Sequence, residues 1–362
     1  MDQELNVFID CCAGLDDSIF ISVITDLFAN NKNFNIIGIS ASYGKNSIDN
    51  SQVNLNHVFT SLGLSNRVDL YKGAVHTVVP TENSPFITYG KRLSDFPISV
   101  SYPNITGDIL MNKIKSLKNQ KVIFISLNNL TCISNLLMQT PQLRGFIDKF
   151  ICTAGTFDKD INKEMNIFTD PNAANHIFQD PIMKSKIIMF PLNITNNFKI
   201  DSEVYKRFKY NGLNDTTKNG YSKTSLLKLI DNNIGKITLH NIPVLLCLVQ
   251  YLNNVNTGYE WNIKEHKLLF KTEEPDQGKI IMLKTVDHKK KIEDILKIKQ
   301  QHPIVVYGMN YKNAWKHVYE LLDTVDNNYT KTQASFSFTN FKLLSLMIVF
   351  LSLLVSFINR IY

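Results

Sequence analysis

A disulfide pattern, internal repeats and a nucleic-acid motif are all missing from this sequence, and each absence removes a class of function. Five cysteines (Cys11, Cys12, Cys132, Cys152 and Cys247) are scattered through 362 residues. An odd, dispersed set excludes the stapled scaffold of a small secreted domain, and none of them has the spacing of a zinc-ligand pair. Four sit in apolar surroundings and read as buried thiols of a protein from a reducing compartment. Cys12, beside acidic residues, is the exception. The opening Met-Asp-Gln-Glu-Leu-Asn has neither a basic segment nor an apolar run, so we expect no secretory signal. The densest basic run, residues 287–300, has no interleaved aromatics, which argues against a nucleic-acid partner.

What is present is an ordinary globular composition, 44% hydrophobic and 20% charged, in a chain long enough to bury a large core. The formal charge of +7 is mild and reads as a solvated, lysine-rich surface. Short apolar runs alternate with helical patterns. Residues 5–12 read as a buried strand. Asp16 and Asp17 then open a helix to about Ala29, with the acidic first turn that the helix dipole favours. Residues 34–42 form the next strand and 47–62 a helix. Residues 68–71, 121–127, 149–153 and 186–191 are further strands, and 311–322 an amphipathic helix. This alternation predicts an α/β fold: an open, mainly parallel sheet with helices on both faces. Its ligands should bind at the C-terminal strand ends.

The domain is expected over residues 1–326 and a polar linker over 327–340, followed by a transmembrane helix over 341–359. Residues 343–358 carry no charge and lie between Lys342 and Arg360. That is short against the roughly 20 residues that span ~30 Å of hydrocarbon, but both flanking cations can snorkel to the interfaces. We therefore expect a single-pass C-terminal membrane anchor with the domain facing the cytosol.

The sharpest local feature is Ile9-Asp10-Cys11-Cys12-Ala13-Gly14-Leu15-Asp16-Asp17, which gathers three carboxylates between a strand end and a helix start. Like charges so bunched repel unless a cation or several donors offset them. Helix capping accounts for one of the last two carboxylates, but not for Asp10 or the Gly14 turn.

The segment resembles the Asp-x-Asp-x-Gly-x-Asp-Asp signature of the inosine–uridine nucleoside hydrolase family. The likeness continues in order along the chain. Residues 36–46 look like the family's second strand and loop, and Asn128-Asn129-Leu130-Thr131 like its Gly-x-Leu-Thr-Asn turn. Lys163-Glu164-Met165-Asn166-Ile167 with Asp170-Pro171-Asn172-Ala173-Ala174 resembles the Glu-Phe-Asn and Asp-Pro-Glu-Ala-Ala block, and Leu239-His240-Asn241-Ile242-Pro243 the late His-Asp segment. The resemblance implies a calcium-dependent hydrolase of ribonucleosides, in which calcium acidifies its bound water and a carboxylate takes the proton. Carried over by position, Asp17, Cys12, Asn241 and the Leu127 carbonyl fall on the metal ligands. Asp16, Glu164 and Asn166 fall on the ribose-binding positions and His240 on the base-side His. Asp10 takes the first acidic place.

Two of these positions depart from the family's pattern. Cys12 stands where an Asp serves as base and ligand, and Asn241 where an Asp completes the ligands. Calcium prefers several charged oxygens, so its binding should be weak or lost. Lys45, where the family usually has Asn, is placed near the site, where it could touch substrate or stand in for the missing cation. Asp10 could replace the lost base if it shared a face with Cys12, about 7 Å away on one strand. Tyr89-Gly90-Lys91-Arg92-Leu93 and Asn193 are further departures. The expected function is a nucleoside hydrolase of reduced activity. The alternative is an inactive, membrane-anchored protein that binds a nucleoside or another ribosyl molecule, as a monomer or a homo-oligomer.

Overall fold

Period-two alternation of apolar side chains accounts for the central layer. In the computed structural model, which describes residues 4–61, 67–78, 100–158, 161, 163–200, 238–253, 257–288 and 294–321, β1 (Leu5–Cys11) is buried along its whole length. Val7, Ile9 and Cys11 enter the core on one face of the sheet and Phe8 the core on the other. A strand buried on both faces belongs inside a sheet covered by two helical layers. Fully burying each such Ile or Phe stabilises the fold by roughly 1.5–3 kcal/mol.

In chain order the other strands are β2 (Phe34–Ala41), β3 (Leu70–Lys72), β4 (Val122–Ser126), β5 (Ile147–Thr153), β6 (Ile187–Phe190), β7 (Asn262–Phe270), β8 (Ile280–Asp287) and β9 (Ile304–Gly308). They form one sheet of order β3-β2-β1-β4-β5-β6-β9-β7-β8. From β3 to β9 every pairing is parallel. β7 runs antiparallel to both β8 and β9. Helices α1 (Leu15–Asn30) and α2 (Ile48–Ser61) cover one face. The other face takes α3 (Gly107–Lys115), α4 (Thr131–Gln139) and, after the single turn α5 (Leu143–Phe146) and α6 (Met165–Thr169), helix α7 (Pro171–Phe178). The four-residue α8 (Leu192–Thr195) follows β6, and α9 (Ile242–Asn253) packs on the first face. A last helix covers residues 311–321.

The expected open, mainly parallel sheet with helices on both faces is thus present, with an antiparallel β7–β8 edge added. Residues 341–359 lie outside the described residues. Among those described, no helix is long and apolar enough to cross a membrane. β1 stops at Cys11, one residue short of the expected strand. Chain order reverses beside it: β2 pairs on one side of β1 and β4 on the other. The crevice at such a switch point is where open α/β sheets take their ligands.

The Asp170-Pro171-Asn172-Ala173-Ala174 block serves the fold. Asp170 caps α7, accepting from the Ala173 amide at 3.0 Å, and its other oxygen accepts from the Thr131 hydroxyl and the Val78 amide, both at 2.7 Å. Pro171 fills the first turn of α7, where its missing N–H costs nothing. Asp170→Ala removes a cap and the acceptor of the Thr131 hydroxyl and the Val78 amide. Urea unfolding should show a loss of about 2–4 kcal/mol, and a loss within error of zero would contradict this role.

Candidate functional site

Five loops leave the C-terminal ends of the parallel strands toward one place. They bound a cavity of about 510 Å³ whose wall includes Cys12, Asp16 and Asp17 after β1, Lys45 after β2, and Leu127 and Asn128 after β4. Thr153 and Ala154 after β5 and Phe190 and Leu192 from β6 onward complete the ring. Glu164 and Asn166 close it at α6, and His240 and Asn241 at the start of α9. A volume of this size suits a small-molecule ligand. The wall is divided: Phe190, Leu192, Ile161 and Met165 offer apolar surface, while the Asp, Asn, His and Lys side chains form a polar part.

The loop after β1 is strained and held. Ala13 has φ of +49°, a left-handed conformation that costs a residue with a Cβ about 1–2 kcal/mol. Three polar side chains fix it there. The Cys12 carbonyl accepts from Asn46 Nδ2 and Ser51 Oγ, each at 2.8 Å, and the Ala13 carbonyl from Asn54 Nδ2 at 3.0 Å. The turn lets Gly14 cap α1 and carries Asp16 and Asp17 to the cavity in its first turn.

Asp17 is the hub. Its Oδ2 accepts from the Cys12 amide at 3.1 Å, the Cys12 thiol at 3.4 Å and the Gly14 amide at 3.2 Å. Its Oδ1 accepts from Asn241 Nδ2 at 2.7 Å. Asn241 is fixed in that orientation, because its own Oδ1 accepts from the Thr153 hydroxyl at 3.2 Å. Burial and the nearby Asp16 charge raise the Asp17 pKa, and the surrounding donors lower it in part. Cys12 is buried too, against the expectation that it would stand apart from the other thiols. Burial, with the Asp17 and Asp16 charges, pushes its pKa well up and keeps the thiol protonated.

Asp10 is not on the cavity wall. Its Oδ1 accepts from Ser40 and Ser42 at 2.6 and 2.5 Å, while its Oδ2 is buried with no hydrogen-bond partner among the described residues. Burial raises its pKa to about 6 against the partial relief of those hydroxyls. Because β1 ends at Cys11, Cys12 does not continue the face that Asp10 occupies, and the idea of Asp10 as a substitute base loses its geometric footing. Lys45 lines the cavity but forms no ion pair with Asp16 or Asp17 among the described residues, so it does not take calcium's place on them. Glu164 caps α6: Oε2 accepts from the Gly155 and Ile167 amides at 2.7 and 3.0 Å and Oε1 from the Asn166 amide at 3.0 Å. Burial raises its pKa first, and these amides lower it. Asn166 donates to the Thr153 carbonyl at 2.7 Å. His240 Nδ1 sits 3.0 Å from the Thr195 hydroxyl. Burial lowers its pKa, with Asp16 raising it and Lys45 lowering it. Asn193 receives the Phe157 amide at 2.8 Å and serves its loop. The Tyr89-Gly90-Lys91-Arg92-Leu93 segment lies outside the described residues.

A profile of known proteins decides the lineage. The model for "Inosine-uridine preferring nucleoside hydrolase" matches residues 7–349. The chain belongs to this family. The match reaches into the apolar stretch within 341–359. A uridine nucleosidase of Saccharomyces cerevisiae is 24% identical over 223 residues, covering 56% of this chain and 63% of the yeast protein, less than two thirds of its length. Among solved structures, a plant nucleoside hydrolase superposes with a TM-score of 0.63 at 16% identity, covering 88% of this chain and 99% of that one. A purine-preferring ribonucleoside hydrolase from Gardnerella vaginalis gives 0.59 at 17% identity over the same shares. Likenesses at this identity speak for the fold alone.

The family is generally calcium-dependent, and the residues here do not fit that ion. Among the described residues no three His, Cys, Asp or Glu side chains gather so as to hold a metal. Asp17 is the one carboxylate left among the three side chains carried over as ligands. Asn241 faces it with an N–H and not with its oxygen. Calcium needs six to eight oxygens, several of them charged.

Thr153, Asn46, Ser51 and Asn54 had not been singled out in the sequence. Their signal is that polar residues recur on the apolar face of α2 and at a strand terminus, where a buried hydroxyl or amide must have a partner. Asn241→Asp would set two carboxylates at hydrogen-bond distance. In chelator its melting temperature should fall by several degrees, corresponding to about 2–4 kcal/mol. Cys12→Asp/Asn241→Asp should regain melting temperature with millimolar calcium while the wild type does not respond. A wild-type upshift with calcium comparable to that of the double variant would show that the native site does hold the ion.

Proposed function

We propose that this chain is a ribonucleoside-binding member of the nucleoside hydrolase family whose hydrolysis of the N-glycosidic bond is strongly reduced, with binding without turnover as its limiting form. One observation carries the reading: the Asp17 carboxylate is met by four protein donors, the Asn241 amide among them, where a calcium site would present open oxygens. Hydrolysis also needs a base beside the attacking water. A thiol at Cys12 is no base at neutral pH, and Asp10 is turned to Ser40 and Ser42.

Support for binding comes from the rest of the cavity. Asp16 and Asn166 can meet ribose hydroxyls, His240 can meet a polar edge of the base, and Phe190 and Leu192 offer an apolar wall for its face. The test is release of free base from uridine and inosine with calcium present, wild type against Cys12→Asp/Asn241→Asp. The wild type should be at least 100-fold slower, while retaining nucleoside binding by calorimetry. Comparable rates would refute the reading.

We also propose residues 341–359 as a membrane anchor, on the strength of the uncharged run 343–358 between Lys342 and Arg360. The chain should then resist alkaline carbonate extraction, and a chain ending at residue 340 should be released. Release of both would remove the anchor.

A further inference from the structure

The cavity wall carries a cation and an anion that do not meet. Lys45 and Asp16 both line it, yet among the described residues neither has a hydrogen-bond or ion-pair partner, and they form no ion pair with each other. The remaining charged groups on the wall are engaged. Asp17 and Glu164 accept from backbone and side-chain donors, and Lys163 pairs with Glu274 at 2.8 Å.

Lys45 sits on anchored backbone. A Cβ at the preceding Gly44 would come within 2.0 Å of Asn128 Oδ1, so the loop can approach β4 this closely only with glycine there. On the other side, Asn46 is tied to the Cys12 carbonyl at 2.8 Å. The ammonium is also within electrostatic reach of the His240 imidazole, as is the Asp16 carboxylate. All three side chains line the same cavity.

A ligand of nucleoside size would displace water from this cavity. Asp16 can then accept from ribose hydroxyls, which are donors. A neutral nucleoside offers Lys45 no anion, and a charge left without water or a partner is costly. A phosphate monoester supplies that partner through a charge-assisted hydrogen bond. We propose that the ligand of this cavity is a phosphorylated riboside, a nucleoside monophosphate or ribose phosphate, with its phosphate on Lys45 and its hydroxyls on Asp16. This rests on the ribosyl-binding reading above and narrows it to an anionic class.

Calorimetry on the full chain in detergent tests it, with uridine, uridine 5′-monophosphate, uridine 3′-monophosphate, ribose 5-phosphate and inorganic phosphate as probes. At least one phosphorylated riboside should bind ten-fold or more tighter than uridine. That gain should shrink as salt rises from 50 to 500 mM and vanish in Lys45→Asn, a change at an exposed side chain. Asp16→Asn should weaken phosphorylated and unphosphorylated ribosides alike. Equal affinity for uridine and both of its phosphates would overturn this inference while leaving the ribosyl pocket intact, as would a phosphate gain that survives Lys45→Asn. Binding of inorganic phosphate as tight as that of any riboside would reduce the site to a bare anion site and overturn it too. If no riboside of either kind binds, the underlying reading falls with it.

Discussion

The 2.7 Å contact from the Asn241 amide to Asp17 is the interaction on which the site depends. A carboxylate with almost no solvent contact must find positive charge or several donors, or it stays protonated. In a calcium site the ion would meet that need and hold the surrounding loops in the same act. Here the need is met in part from within the chain, by two amides and a thiol from the turn after β1 and an amide from the start of α9, 224 residues away. The net effect still leaves the Asp17 pKa raised. Through its other end Asn241 reaches Thr153 at the end of β5. One side-chain amide therefore ties three elements whose mutual placement defines the cavity. This arrangement does not fit the ion, because Asn241 turns an N–H and not its oxygen toward Asp17.

The strained turn at Ala13 belongs to the same construction. A left-handed alanine persists only where its surroundings over-determine it, and Asn46, Ser51 and Asn54 do so from α2 and the loop before it. Their bonds to the Cys12 and Ala13 carbonyls aim the following residues so that Gly14 caps α1 and Asp17 faces inward. The anionic groups at this helix start also gain from the positive end of its dipole. Local strain, capping and the hub carboxylate are thus one arrangement, and Asn46 joins it to the backbone that carries Lys45.

The parallel half of the sheet was legible in the sequence because its strands are short, apolar on both faces and separated by amphipathic helices. The β7–β8 edge and β9 were not read. β7, Asn-Ile-Lys-Glu-His-Lys-Leu-Leu-Phe, interleaves charges with apolar residues, and most of β8 is exposed, so neither offers the buried apolar run that marks a parallel strand. Charged members of β7 are accommodated by tertiary partners invisible at sequence level, such as Glu265, which accepts from the Gln301 and His302 amides. The motif residues were legible as a set, and nine of the ten candidate positions line one cavity. Asp10 is the tenth. Extending β1 by one residue put Asp10 and Cys12 on a shared face, whereas the chain leaves the strand at Cys11 and turns at Ala13.

The polar residues around the cavity fall into two groups, and the division bears on what their presence means. Glu164 reads from sequence as a sugar-binding residue, but both of its oxygens accept backbone amides at the start of α6, so the fold requires it whether or not a ligand binds. Asp170, Thr153 and Asn241 are likewise accounted for by partners within the chain. A scaffold that had lost every ligand would still need all four. Asp16 and Lys45 differ: neither has a hydrogen-bond or ion-pair partner among the described residues, and only Asp16, at the start of α1, gains from the helix dipole. A fold explains why a buried group has partners. Two opposite charges facing one cavity, and not each other, are explained by what enters it.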